Sequence, residues 1–160
     1  MLTLGIDPGT ATTGFGLVIE RSNKLTVVDH GVIRTPKTES SQNRLRIIFN
    51  EIKSLLRIYK PKWLAIERLF FGKNVKTVNA VSQARGIVLL AAAELKVKIS
   101  EYTPLEVKMA LTGYGRADKQ QVQHMVKSLL GLAILPEPDD AADALAIAIC
   151  HHHSYKIKSL

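Results

Sequence analysis

The sequence predicts an α/β fold in which helices flank both faces of a mixed five-stranded sheet. Three strand-like segments separated by short turns occupy residues 2–34, helix and strand patterns alternate up to residue 102, and helical patterns fill the remainder. This order of elements favours a sheet that is covered on both sides. At 160 residues and 17.7 kDa, the chain is predicted to form one domain over 1–160 with a sizeable core.

The first three strands are predicted from their content of β-branched and other apolar residues. Val, Ile, Leu and Thr are frequent at 2–6, 14–20 and 25–34. Turn-forming residues separate these segments, with Pro-Gly-Thr at 8–10 and Arg-Ser-Asn-Lys at 21–24. Because both connections are short, we expect the three strands to form an antiparallel meander.

A long helix and a buried strand are predicted next. After the polar residues 38–43, apolar side chains recur at steps of three and four, as on one face of a helix: Leu45, Ile48, Phe49, Ile52, Leu55, Leu56 and Tyr59. Pro61 ends this pattern. The short apolar run at 63–66 fits a buried strand, and Glu67 follows it directly.

The second half of the chain is predicted to be mainly helical. Residues 75–95 form a helix with unusually small side chains, and 97–102 return as a strand. Three further helices are predicted at 104–111, at 119–130 and from about 139 to 153. We expect the three histidines at 151–153 to form a frayed, solvated helix end that continues into a frayed tail at 154–160.

The charge balance indicates a polyanionic partner. Lys and Arg number 22 against 14 Asp and Glu, which gives a net charge of +8 and a pI near 9.7. The longest apolar runs, at 87–93 and 144–150, are much shorter than the roughly 20 residues of a membrane span. Cys150 is the single cysteine, and the N-terminus lacks the pattern of a secretory signal. The chain is therefore predicted to be cytoplasmic and to make no membrane contact.

Four acids stand at the ends of predicted apolar elements. Asp7 ends the first strand, Glu67 follows the fourth, and Asp140 and Asp143 open the last helix. If the first and fourth strands are neighbours, these carboxylates converge and need a cation to offset their repulsion. Mg²⁺ prefers hard oxygen ligands, and two such ions about 4 Å apart can stabilise the attacking and the leaving oxygen of a phosphodiester. The set predicts a metal-dependent nuclease site.

Taken singly, these acids have simpler interpretations. Asp7 precedes a Pro-Gly pair and fits a turn. Asp140 and Asp143 fit a helix start whose acids complement the helix dipole. Their joint occurrence with Glu67 at three element ends is what favours the metal site.

Basic and aromatic side chains supply candidate contacts to nucleic acid. A phosphate track is predicted from the lysines and arginines Lys73, Lys76, Arg85, Lys108, Arg116, Lys119 and Lys127, although each alone also fits a solvated surface. Phe70 fits stacking on an unpaired base or packing against the core. The small-faced helix at 75–95 fits contact with a second copy of the chain or core packing against the sheet.

A set of short motifs covers nearly the whole chain. In order they are LGIDPGT at 4–10, TG at 13–14, AIE at 65–67, Phe70, GKN at 72–74, QARG at 83–86, KQQVQHMV at 119–126 and DAADALA at 140–146. Together and in this order they resemble the motifs of the RuvC family, the bacterial Holliday junction resolvases. The resemblance implies a ribonuclease-H-like fold, a homodimer, and divalent-metal-dependent, paired and symmetric nicking of a four-way DNA junction in recombination and repair.

The resemblance also implies roles for individual residues. The family's catalytic carboxylate positions are occupied here by Asp7, Glu67, Asp140 and Asp143. The resemblance implies that these four residues hold two Mg²⁺ ions, with Mn²⁺ as a candidate substitute. Lys108 and Lys119 fall on basic positions that face the scissile DNA, where one of them would stabilise developing charge. Phe70 falls on an aromatic position that probes the opened base pairs. The RuvA and RuvB branch-migration proteins are the implied partners.

Two other functions stay open on the sequence alone. A related ribonuclease-H-like nuclease acting on RNA/DNA hybrids would need 2′-hydroxyl groups in its substrate and no dimer. A non-catalytic junction-binding module would lose nothing when Asp7 is replaced by Asn.

Arg68 stands where the family often has Gln or another polar residue, which predicts different local contacts to DNA.

Overall fold

The computed structural model of the protein describes residues 1–69 and 75–158. The strands are β1 (Leu2–Asp7), β2 (Thr12–Arg21), β3 (Lys24–Arg34), β4 (Trp63–Glu67) and β5 (Lys98–Tyr102). The helices are α1 (Ser41–Tyr59), α2 (Val75–Glu94), α3 (Pro104–Thr112), α4 (Lys119–Leu130) and α5 (Asp139–Lys158). This element order confirms the predicted α/β class.

The sheet has the strand order β3-β2-β1-β4-β5. β1, β2 and β3 pair antiparallel, which confirms the meander, whereas β4 runs parallel to both β1 and β5. In the register of β1 and β4, Ile6 lies opposite Ile66. The next residues, Asp7 and Glu67, therefore lie side by side at one edge of the sheet.

Each face of the sheet carries its own core. Ile6 and Leu64 are fully buried against α1 and α2 on one face, and Val18 and Ala65 are fully buried against α3, α4 and α5 on the other. Alternate residues of a strand point to opposite faces, so Leu64 and Ala65 belong to different cores. Burial of a large aliphatic side chain contributes about 1.5–3 kcal/mol, and these two clusters fix the sheet between its helix layers.

Helix α5 lies directly on the main chain of β1 and β2. A Cβ atom at Gly5 would lie 2.0 Å from the carbonyl oxygen of Ala144, and one at Gly14 would lie 2.0 Å from that of Asp140. Only glycine allows such a close approach of backbone to backbone. The contact brings the first turn of α5 to the edge of the sheet where β1 ends.

Side-chain caps fix where α3 and α4 begin. Thr103 and Glu106 form a capping box at the start of α3, and Asp118 and Gln121 form one at the start of α4. Each box satisfies main-chain N–H groups that would otherwise lack partners in the first turn. The α4 cap makes Lys119 the first residue of its helix.

The prediction that the histidines at the end of the last helix are solvated is wrong. His151 and His152 are 1% and 0% exposed, because α5 stays packed against the sheet and continues to Lys158. Nδ1 of His151 lies 2.8 Å from the hydroxyl of Tyr102, and Nε2 of His152 donates to the carbonyl oxygen of Val18 at 3.1 Å. The histidine pair is thus part of the core. Among the described residues, no helix has the length and apolarity needed to cross a bilayer.

Candidate active site

Three elements bring the predicted acids together at one edge of the sheet. Asp7 ends β1, Glu67 ends β4, and the first turn of α5 adds Asp140 and Asp143. One carboxylate oxygen from each of Asp7, Asp140 and Asp143 can be chosen so that all three lie within 4.8 Å of one another. Glu67 lines the same cleft as Asp7 and Asp143, a space of about 190 Å³. The sheet register and the glycine contacts to α5 produce this convergence.

The clustered carboxylates disfavour their own ionisation. Burial, followed by the charges of Asp143, Glu67 and Asp140, raises the pKa of Asp7 from 3.8 to about 7. Burial and the charge of Asp143 raise the pKa of Glu67, although Lys108 opposes this. Burial also raises the pKa of Asp143, against the effect of Lys119. The site therefore concentrates negative charge that its lysines offset only in part.

These donors fit a divalent cation. Carboxylate oxygens are the hard ligands that Mg²⁺ and Mn²⁺ accept, and three of them within 4.8 Å can share one ion. A cation would also relieve the repulsion that raises the pKa of Asp7. Glu67 lies outside the three-residue group but lines the same cleft, where it can complete a site or help to hold a second ion.

Lys119 lies at the rim of the acidic cleft. Its Nζ atom is 3.4 Å from Oδ2 of Asp143 and 3.1 Å from Oδ2 of Asp139. The hydrogen bond to Asp139 is the largest cause that raises the pKa of Lys119, so this ammonium group stays charged. Lys108, on α3, lines the same cleft. Both predicted lysines therefore face the carboxylates.

Asp139 and Gln123 make contacts beside the site that the sequence does not predict. Nε2 of Gln123 donates to Oδ1 of Asp139 at 3.0 Å, while Oδ2 of Asp139 accepts from Lys119. The only signal in the sequence is a pair of adjacent aspartates after Pro138, which a helix start explains equally well. The pairing depends on how α4 and α5 pack, which local sequence does not reveal.

A second cleft adjoins the first on the side of α2. It has a volume of about 300 Å³, shares Asp7 and Glu67 with the first cleft, and is lined by Arg68 and Arg85. Arg85 makes an ion pair of 2.9 Å with Glu101, and its Nε donates to the main-chain oxygen of Glu67 at 3.4 Å. A path with basic groups therefore runs past the carboxylates from α2 to α4.

The remaining predicted contact residues are only partly described. Arg116 is exposed in the connection between α3 and α4. Phe70 and Lys73 lie outside the described residues. Their predicted contacts to DNA, like those of Arg85 and Lys108, stay predictions.

The fold and its acidic edge define a ribonuclease-H-like domain. The structure superposes on that of Thermus thermophilus RuvC with a TM-score of 0.91 at 35% identity, covering 99% of this chain and 97% of the other. Its TM-score against T. thermophilus RuvC in complex with a Holliday junction substrate is 0.94, with the same coverage and identity. These likenesses confirm the predicted fold.

The family follows from the sequence comparisons. The family model for the crossover junction endodeoxyribonuclease RuvC matches residues 3–151. The RuvC of Halothermothrix orenii is 52% identical over 157 residues, covering 98% of this chain and 95% of the relative. That of Rubrobacter xylanophilus is 53% identical over 156 residues, covering 98% and 87%. This chain belongs to the RuvC family, as its motifs predicted.

Proposed function

We propose that this chain is a crossover junction endodeoxyribonuclease that resolves four-way DNA junctions by paired, symmetric nicks in recombination and repair. The observation that carries the proposal is the convergence of Asp7, Glu67, Asp140 and Asp143 at one edge of the sheet. Membership of the RuvC family supports the reaction, and the likeness to the T. thermophilus complex supports the substrate. In this proposal residues 1–160 act as one nuclease domain in the cytoplasm.

The four carboxylates would hold two Mg²⁺ ions, with Mn²⁺ as a substitute. When bound, these ions supply Lewis-acid stabilisation of charge at the scissile phosphate. Asp7, Asp140 and Asp143 are spaced to share an ion, and Glu67 lines the same cleft. Because α5 lies on glycines of β1 and β2, the protein holds these ligands in place before substrate binds.

Basic groups on α3 and α4 act on the phosphate backbone. Lys119 and Lys108 line the acidic cleft, and their ammonium groups would stabilise the negative charge that develops during strand cleavage. The exposed Arg116 and the cleft-lining Arg85 would extend the contact to flanking phosphates. Phe70 and Lys73 are proposed to contact DNA at the crossover, on the basis of the family resemblance.

Paired nicks require two active sites, and we propose that α2 joins two copies of the chain. The small residues Ala84, Ala91 and Ala92 are buried, so core packing explains part of the helix composition. Apart from the neighbouring backbone of α2 itself, no described residue has an atom within 4 Å of the position of a Cβ at Gly86, and Leu90 is 50% exposed. This open face allows close approach of a second α2 across a two-fold axis. RuvA and RuvB are proposed as partners from the family alone.

The substrate decides between this function and the two alternatives. An end-labelled all-DNA four-way junction, a linear duplex and an RNA/DNA hybrid are each incubated with the protein and Mg²⁺. We expect opposed, symmetric nicks in the junction and intact duplex and hybrid. Cleavage of the hybrid alone would indicate the ribonuclease, and junction binding that no divalent metal converts to cleavage would indicate the binding module. Asp7→Asn is the matched control, expected to bind the junction without cutting it.

A further inference from the structure

Asp139 makes two contacts with α4 that neither the helix start nor the carboxylate cluster explains. Its Oδ2 lies 3.1 Å from Nζ of Lys119, and its Oδ1 accepts from Nε2 of Gln123 at 3.0 Å. Lys119 and Gln123 are one turn apart on α4, so they present neighbouring donors on one side of that helix. The two oxygens of one carboxylate thus bind two side chains of a neighbouring helix.

The two aspartates that pair with Lys119 differ in their relation to the candidate metal site. Asp143 belongs to the group whose oxygens can hold a cation, whereas Asp139 does not. A cation bound by Asp143 competes for the oxygen that lies 3.4 Å from Nζ of Lys119. Asp139 then becomes the partner that keeps the ammonium group at the rim of the cleft. Gln123 fixes the orientation of the Asp139 carboxylate, which limits the positions that Lys119 can adopt.

We propose that Asp139 is a positioning residue that, together with Gln123, holds Lys119 over the scissile phosphate. This inference rests on the proposed nuclease function and adds a residue that acts through Lys119 rather than on the metal. The side chains of Lys119 and Asp139 are 52% and 65% exposed, so solvent weakens the pair and its effect is moderate. Loss of Asp139 would displace the ammonium group of Lys119, and a small displacement of a charged group can slow a reaction severalfold.

A double-mutant cycle tests the assignment. Single-turnover cleavage of the four-way junction is measured for the wild type, Asp139→Asn, Lys119→Ala and the double variant. We expect Asp139→Asn to slow cleavage by about fivefold, the scale of an exposed ion pair, with unchanged junction affinity in the absence of metal and unchanged Mn²⁺ affinity. In the Lys119→Ala background, Asp139→Asn should have no further effect, and Asp139→Glu should keep most of the wild-type rate.

Three results would overturn the inference. An equal effect of Asp139→Asn with and without Lys119 would show that Asp139 does not act through the lysine. Weaker Mn²⁺ binding by Asp139→Asn would show that it is a metal ligand instead. An unchanged cleavage rate in Asp139→Asn would show that the surface pair of Asp139 and Lys119 has no effect on cleavage.

A second cycle on the same four proteins keeps the inference separate from the proposed function. Thermal unfolding without metal measures the coupling between Asp139 and Lys119 independently of cleavage. We expect the double variant to be less destabilised than the sum of the single variants, and additive effects would contradict the contact. If the wild type leaves junctions intact, the proposed nuclease function fails, and the unfolding cycle still decides whether Asp139 holds Lys119.

Discussion

Gly14 of β2 lies against the main chain of Asp140, so that a Cβ on Gly14 would be 2.0 Å from the Asp140 carbonyl oxygen. This contact joins the antiparallel half of the sheet to the first turn of α5. Asp7 pairs with Gly14 in the register of β1 and β2. The glycine therefore sets the distance between Asp7 and Asp140 without itself contributing a functional group.

Gly14→Ala is expected to displace α5 and to spread the carboxylates. Overpacking a close contact costs about 1–3 kcal/mol of unfolding free energy, and the shift should also weaken Mn²⁺ binding. Chemical denaturation and metal titration measure the two effects. Gly31→Ala is the matched control, because among the described residues its Cβ would meet the ring of Phe15 alone, at 3.1 Å, and that ring can move. Equal metal affinity in Gly14→Ala and the wild type would contradict the role of this contact.

Asp7→Asn is expected to abolish cleavage and yet to stabilise the metal-free protein. The amide keeps the shape of the side chain and removes a half-buried charge that is close to Asp143, Glu67 and Asp140. Cleavage should fall by more than about 100-fold, beyond the range for residues that only support metal ligands. Thermal unfolding in chelator measures the gain in stability, and the exposed acid Glu51 provides the control variant Glu51→Gln. A destabilised Asp7→Asn would contradict the proposed repulsion.

The contribution of Asp7 to the stability of the metal-free protein should fall as pH rises from about 4 to about 7. The pKa of Asp7 is 3.8 in its ordinary state and about 7 in the fold, so the folded state holds a proton that the unfolded state releases in this window. Folding is then favoured at low pH, and this contribution disappears as pH passes the folded pKa. Denaturant unfolding at several pH values in chelator measures the slope. The slope should be smaller in Asp7→Asn, and an identical slope in that variant would exclude Asp7 as its source.

Leu90→Glu is expected to separate a dimer formed through α2. Leu90 is 50% exposed beside Gly86, where a buried carboxylate from each copy would be unpaired. Light scattering coupled to size exclusion measures the mass, and junction cleavage should change from paired to single nicks. The control is Ile58→Glu on α1, since Ile58 is a 68% exposed apolar residue that lies on a different helix. A dimer that persists in Leu90→Glu would place the interface elsewhere.

Local pattern in the sequence predicted most of the fold. Residue composition, turn residues and, for α1, periodic apolar side chains identified the ten elements of the described residues, and the short turns at 8–10 and 21–24 predicted the meander. Element ends were less well predicted: β2 begins at Thr12 rather than at residue 14 because its first residues pair with β3. The family motifs added the ribonuclease-H-like class, which strand patterns alone do not specify.

The sequence predicted that the carboxylates converge only if β1 and β4 are neighbours, and it does not reveal whether these strands pair. Only the parallel pairing of β1 with β4 makes Asp7 and Glu67 neighbours. The partners of Asp139 and of Arg85 could not be predicted, because they depend on packing between helices and strands distant in sequence. The buried histidines were mispredicted for a similar reason: polar residues at a helix end indicate solvent unless tertiary partners such as Tyr102 are known.

The carboxylate site is tested by comparing the wild type with Glu67→Gln on an all-DNA four-way junction in Mg²⁺. We expect two symmetric nicks by the wild type, and junction binding without cleavage by Glu67→Gln, since the amide removes one acid of the site and leaves the fold intact. An intact junction with the wild type, or cleavage by Glu67→Gln at the wild-type rate, would contradict a metal-dependent nuclease site at these carboxylates.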